Sequence, residues 1–245
     1  MKKQILETFI KKYSLNGTIE SAKWIIESKP KVLKTSSRTD DAKVSVDVQY
    51  SDFSELSDSE FGIFDTSKLT KMLGVLSSDI TMEFIQKNNK ISALSIKDAE
   101  SEVKYTTADL SVVNTFAPFK ITPTFEVELE LNGDFISKFI KAKNALPDVT
   151  TFTIAPHKKK KIQFIVGGDN ENSNKIILDV KAKDGLDELE NPITFNAKHL
   201  KEILNGNSEC DETVLRIDTR GLAKIEFEKD NFKSTYYLTN VDSDN

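Results

Sequence analysis

Cysteine and histidine are almost missing from this chain of 245 residues: Cys210, His157 and His199 are all it has. One cysteine excludes an internal disulfide and any cysteine-rich zinc site. Neither histidine lies in an H-E-x-x-H pattern or beside a cysteine ligand set, which removes the common zinc signatures. His199 reads as a helix-surface residue, and Cys210 as a packing or loop residue with no histidine placed to activate it. A G-x-x-x-x-G-K-[ST] loop is also absent; Gly167-Gly168 reads as a hairpin turn without the lysine a phosphate cradle needs. No run of about 18 apolar residues occurs, so nothing reads as a membrane span. The N-terminal Met1-Lys2-Lys3-Gln4-Ile5-Leu6-Glu7 lacks the continuous apolar stretch of a signal peptide. Carboxylates are plentiful but scattered along alternating strands, not paired for glycosidase chemistry. These absences lead to the expectation of an intracellular, cytoplasmic protein that is not an enzyme, with no catalytic residues, no metal and no cofactor.

What the sequence does have is repetition, which is informative before any single motif. A unit of short strand, cationic amphipathic helix and alternating strands recurs four times. The clearest copy begins at Phe125–Leu131, where apolar and acidic residues alternate as in a half-buried strand. Asn132-Gly133-Asp134 offers a turn and a helix cap. Phe135, Ile136, Phe139 and Ile140 then form one helical stripe, and Pro147 stops the helix. Strands are expected at Thr151–Ile154, Ile162–Val166 and Lys175–Val180.

The fourth copy has strand Pro192–Phe195, cap Asn196 and helix face Leu200, Ile203 and Leu204, ending at Asn205-Gly206. Its strands are Val214–Ile217, Leu222–Phe227 and Phe232–Leu238. The second copy has strand Phe61–Phe64, Asp65 or Thr66 as cap, and the stripe Leu69, Met72, Leu73 and Leu76. Strands Ile80–Gln86, Lys90–Ile96 and Glu102–Thr106 follow. The first copy is the most degenerate, with a helix carrying Ile5, Leu6, Phe9, Ile10 and Tyr13 and strands near Thr18–Ile26, Val32–Thr35 and Ala42–Tyr50. The expected class is α+β, in two similar domains of two copies each: residues 1–113 and 125–245. Residues 114–124, with two prolines, read as an extended connector.

The charge is sorted by element. The formal net charge is −5, which by itself argues against a nucleic-acid binder. The four helix windows (residues 2–13, 66–77, 134–145 and 197–205) hold eleven lysines and three acids, a charge of +8, so the rest of the chain carries −13. Cations along one set of faces suit phosphate binding, and acids elsewhere would confine DNA to those faces. Few base-reading side chains accompany the lysines, so the expected contact is sequence-independent. Lysine also suits any exposed helix face, because its stem covers apolar surface; it is the same bias in four helices that favours the DNA reading.

The stretch Phe64-Asp65-Thr66-Ser67-Lys68-Leu69-Thr70-Lys71-Met72-Leu73-Gly74-Val75-Leu76-Ser77, with the hairpins after it, resembles the middle of the T-even-type bacteriophage DNA polymerase sliding clamp. Lys97-Asp98-Ala99-Glu100-Ser101 falls in register with a similar segment of that family. Lys233-Ser234-Thr235-Tyr236-Tyr237-Leu238 looks like the closing strand of the related proliferating cell nuclear antigen. Residues from about 60 to 240 can be laid along the family, and residues 1–59 only loosely. The resemblance implies a closed homotrimeric ring, sheets outside and helices lining a hole around double-stranded DNA. It implies DNA polymerase and an ATP-driven clamp loader as partners, and it allows activation of late transcription. Lys11, Lys12, Lys68, Lys71, Lys138, Lys141, Lys143, Lys198 and Lys201 would then line the hole. Phe119, Ile121, Leu222 and Tyr237 would frame a pocket for partner peptides, although Leu222 and Tyr237 could equally fill the domain core. The run Lys158-Lys159-Lys160-Lys161 departs from the family and reads as a solvated turn in preference to a DNA or partner contact. The alternative is a non-ring, sequence-independent double-stranded-DNA-binding or scaffold protein of paired α+β modules.

Overall fold

The computed structural model describes residues 1–88, 90–117, 119–157, 161–168 and 173–241. Three of the four lysines in the basic turn, residues 158–160, lie outside the described residues. The chain forms two compact units. The first comprises Met1–Asp40, Ser45–Ala117 and Asp230–Ser234; the second comprises Asp41–Val44, Pro118–Lys229 and Thr235–Asn245.

In the first unit the order is α1 (Lys3–Ser14), β1 (Ala22–Ser28), β2 (Lys31–Arg38), β3 (Val44–Ser51), β4 (Ser59–Ile63), α2 (Thr66–Leu73), β5 (Thr81–Lys87), β6 (Lys90–Lys97) and β7 (Glu102–Thr106). The second unit repeats the order with a full strand in front: β8 (Val127–Asn132), α3 (Gly133–Ala145), β9 (Thr151–His157), β10 (Lys161–Gly167), β11 (Lys175–Asp184), β12 (Ile193–Asn196), α4 (Ala197–Gly206), β13 (Glu212–Asp218), β14 (Leu222–Lys229) and β15 (Phe232–Thr239), the last of which begins within the first unit's Asp230–Ser234 and continues in the second from Thr235. The α+β class is therefore present, with four helix-and-strands copies, of which those of α2, α3 and α4 are led by a strand while α1 has none before it.

The strands of the second unit are neighbours in the order β12-β9-β10-β11-β8-β13-β14-β15. Here β8 is the joint: it pairs with β13 along its length and meets β11 at Leu129 and Glu128. In the first unit the corresponding place is held by Lys2, bridged to Asp79 just before β5. Without a full strand there, β4-β1-β2-β3 and β5-β6-β7 stay separate ladders. This is the physical content of the first copy's weak sequence pattern.

Local chemistry sets the helix starts. The side chains of Asp65, Asn132 and Asn196 accept hydrogen bonds from the backbone N–H groups of Lys68, Phe135 and His199, each cap worth about 1 kcal/mol. Asp65, not Thr66, caps α2. The cores repeat as well. In the first unit, Phe9 and Tyr13 of α1 pack on Trp24, which meets its cross-strand partner Phe61 at 5.7 Å. In the second, Phe139 of α3 packs on Phe152, which meets its partner Phe195 at 5.7 Å, with Phe164 completing the cluster. Edge and offset pairs of this kind add about 0.5–1.5 kcal/mol each beyond the area they bury.

Candidate nucleic-acid interface

Helices α1 and α2 lie side by side in the first unit, as do α3 and α4 in the second. Each pair turns its apolar stripe inward: Leu6, Phe9, Leu69 and Leu73 are fully buried in one unit, and Phe139, Ile203 and Leu204 in the other. The opposite helix faces carry the lysines. Lys68, Lys71, Lys141 and Lys198 are exposed, and none has a carboxylate within ion-pair distance among the described residues. Lys11 is exposed too. Lys138 is exposed but pairs with Asp134 one turn earlier at 2.6 Å. Lys201 is half-buried beside Glu202 at 3.6 Å.

Two of the nine candidate lysines are placed differently from the expectation. Lys12 is 1% exposed, its ammonium 5.5 Å from the centre of the Phe232 ring. The stripe predicted for α1 showed one buried face, but the start of β15 covers a second flank, and periodicity cannot see a distant segment. Lys143 is also buried, and its Nζ donates to the carbonyls of Leu146 at 3.3 Å and Pro147 at 2.9 Å. It satisfies acceptors at the end of α3 that Pro147 prevents further helix from reaching. His199, expected on the helix surface, is buried as well, and desolvation holds its imidazole pKa below the ordinary value. Cys210 is buried.

The ends of α2 are already occupied. Asp65 takes the Lys68 N–H, and Glu20 accepts from both the backbone N–H and the hydroxyl of Ser67. At the other end the Lys3 ammonium donates to the carbonyls of Leu73 and Leu76. Acids at the N-terminus repel phosphate there, so an anion approaching α2 meets favourable charge along the side of the helix, at Lys68 and Lys71. Sheet acids are largely paired. Glu128, Arg216, Glu226, Lys183 and Lys224 form one chain of ion pairs across four strands, which holds the Glu128 carboxyl below its usual range.

The residues expected to frame a peptide pocket are partly brought together. On β15 the alternation sends Tyr236 into the core, where its hydroxyl accepts from Asn207 Nδ2 at 2.8 Å. Tyr237 therefore lies on the other face, half-buried, with its ring 4.9 Å from that of Phe119 in an edge contact. Leu222 is also half-buried on the outward side of β14, while Ile121 is 81% exposed. Next to Leu222 runs a groove of about 440 Å³, bordered by Thr219, Arg220, Gly221, Asn240 and Val241. Thr219-Arg220-Gly221 is legible in the sequence as a turn, but nothing there joins it to Asn240 and Val241, because these residues converge only when the tail after β15 returns to β12, with Val241 N donating to Thr194 O at 2.8 Å.

β7 and β11 are among the strands that offer unpaired edges. β7 pairs with β6, and beyond it the chain turns back to bridge Ala108 with Gly62. β11 pairs with β10 along Lys175–Lys181 but meets β8 only at Ala182 and Asp184, leaving a gap of about 940 Å³ bordered by Glu130, Phe135 and Ile177. Among the described residues no group of three or more His, Cys, Asp or Glu is placed to hold a metal ion. No helix among them is long and apolar enough to cross a membrane.

No family model and no curated protein matches the sequence. Solved structures do match the fold. The proliferating cell nuclear antigen of A. fulgidus, solved with the C-terminal region of FEN-1 bound, superimposes with a TM-score of 0.73 at 17% identity over 100% of this chain and 98% of that one. The proliferating cellular nuclear antigen of Entamoeba histolytica gives 0.69 at 14% identity, over 98% of this chain and 94% of that one. The chain has the fold of these two proteins across all or nearly all of its length.

Proposed function

We propose that this chain is one subunit of a DNA sliding clamp of the T-even bacteriophage type. Three copies close a ring around double-stranded DNA and tether the replicative polymerase in the cytoplasm of the host cell. The observation that carries the reading is the set of exposed, unpaired lysines Lys68, Lys71, Lys141 and Lys198 on helix faces of both units, in a chain whose net charge is −5. Scattered lysines with no base-reading partners suit phosphates of any sequence. A weak backbone contact of this kind holds a protein on DNA only when topology prevents it from leaving. The unpaired edges of β7 and β11 support closure, since two such edges on different units can pair between copies and remove the hazard that open strands present.

The polymerase and an ATP-driven clamp loader would dock at Phe119, Tyr237, Leu222 and the adjoining groove. Contact with the transcription machinery for late genes would use the same surface.

Two measurements test the reading. Light scattering should give about three times 27.6 kDa; a monomer at micromolar concentration favours a non-ring DNA-binding scaffold. Loaded protein should stay on circular DNA and slide off the same DNA once it is cut. Equal retention on both forms would refute a ring.

A further inference from the structure

The sequence contains three Asn-Gly steps: Asn16-Gly17, Asn132-Gly133 and Asn205-Gly206. Such a step is chemically labile because the glycine nitrogen can attack the asparagine side-chain carbonyl with no Cβ in the way. The fold treats the three differently. Asn132 caps α3, its Oδ1 held by the Phe135 N–H at 2.9 Å. Asn205 and Gly206 belong to α4, where Gly206 is buried. Asn16 and Gly17 are exposed. They form the centre of a tight turn closed by Thr18 N donating to Leu15 O at 3.2 Å. Their φ values of 55° and 82° fit a type I′ turn. Neither the Asn16 side chain nor the Gly17 N–H is held by a hydrogen bond among the described residues.

Attack requires the Gly17 nitrogen to eclipse Cβ of Asn16, at ψ of about −120°. A flip of the peptide between the two residues gives that geometry, because a type II′ turn has its first central residue at about φ +60°, ψ −120°. The flip leaves the Thr18–Leu15 hydrogen bond in place, since both turn types share it. The same geometry at Asn132 costs the cap, and at Asn205 it costs the helix end.

We propose that Asn16 is a site of spontaneous deamidation in the folded chain. The Gly17 N–Asn16 Cγ bond forms, the Cγ–Nδ2 bond breaks, and ammonia leaves with the Gly17 amide proton, giving a succinimide. Water then opens the ring at either carbonyl, leaving aspartate or isoaspartate, with no change of oxidation state. The product adds one negative charge just beyond α1, whose last turn holds Lys11 and Lys12. The isoaspartate form also lengthens the backbone of a turn in which a Cβ on Gly17 would already lie 3.1 Å from Glu20 Oε1. Glu20 is the residue that receives the start of α2.

The test is peptide mapping by mass spectrometry on the full chain, aged at physiological temperature and mildly alkaline pH, with the same chain in urea as reference. In the folded protein the Asn16 peptide should convert to aspartate and isoaspartate forms at least about tenfold faster than the Asn132 and Asn205 peptides. That factor corresponds to about 1.4 kcal/mol of cap opening at the protected sites. In urea the three rates should converge. Asn16→Gln should abolish the early acidic species, with a small fall in melting temperature because asparagine is favoured at positive φ in such a turn. Equal rates at all three sites in the folded chain, or an Asn16 peptide that reacts in urea and stays intact when folded, would overturn the proposal. Neither result depends on whether the protein encircles DNA.

Discussion

Replacing Tyr236 and Tyr237 one at a time with alanine separates core from docking surface within two residues of one strand. Tyr236 is 0% exposed, packs 5.9 Å from Phe227 and accepts the Asn207 hydrogen bond. Removing such a ring should cost about 3–5 kcal/mol, with an added penalty because the buried Asn207 amide is deprived of an acceptor. Tyr237 is half-buried, with its ring against Phe119, so its truncation should cost about 0.5–1.5 kcal/mol of stability. With each kcal/mol worth about 2–4 °C in a chain of this size, Tyr236→Ala should lower Tm by roughly ten degrees or more and Tyr237→Ala by only a few. Binding should rank the other way. A buried aromatic anchor contributes about 2 kcal/mol or more, so Tyr237→Ala should weaken a polymerase C-terminal tail peptide by roughly thirtyfold. The assays are calorimetry, light scattering for assembly and fluorescence anisotropy with the labelled peptide. Equal decreases of Tm for the two variants would refute the strand alternation. An unchanged peptide affinity for Tyr237→Ala, with the assembly intact, would remove Tyr237 from the docking surface.

Charge reversal at Lys68 and Lys71, or at Lys141 and Lys198, should weaken loading to a similar degree on unrelated DNA sequences, with the salt slope falling by about 0.9 for each phosphate no longer neutralised; an effect confined to one sequence contradicts backbone-only binding. Lys12→Met and Lys143→Met should alter Tm and leave that slope unchanged, since both ammonium groups are buried inside their unit. Asp98 accepts backbone hydrogen bonds from Ser77, Glu100 and Ser101, which hold its carboxyl far below the usual range. Its contribution is therefore complete above the ordinary carboxylate pKa of about 4 and lost as pH falls below it; in thermal melts, Asp98→Asn should differ from the parent chain at neutral pH and converge with it in acid. His199 has its pKa lowered by burial, with Asp41 opposing that shift and Lys198 adding to it. The unfolded chain then binds the extra proton first, so stability should fall as pH drops below about 6.5, and a melt of His199→Gln that keeps the same acid dependence in that range would contradict this.

Much of the fold was legible because its determinants are local. Alternation marked β8 and β15, the 3.6-residue stripes marked all four helices, and Asn132 and Asn196 announced the starts of α3 and α4. These signals depend on neighbours a few residues away, and the period of two or 3.6 follows from backbone geometry alone. The sorting of lysines onto helices is likewise a property of the sequence, and no folding was needed to see it.

Tertiary structure decided what no local pattern contains. Whether a lysine on a helix faces water depends on what other segment covers that flank: Phe232 reaches Lys12 from the far end of the chain, while Lys68 and Lys71 stay open. Alternation stated that Tyr236 and Tyr237 face opposite ways, but only the packing of Asn207 and Phe227 on one side and Phe119 on the other fixed which is which. The groove at Asn240 and the unpaired edge of β11 arise from where strands end against one another, at the register shift between Ala182 and Asp184. Periodicity reports that an element has a buried face; long-range packing chooses what lies against it.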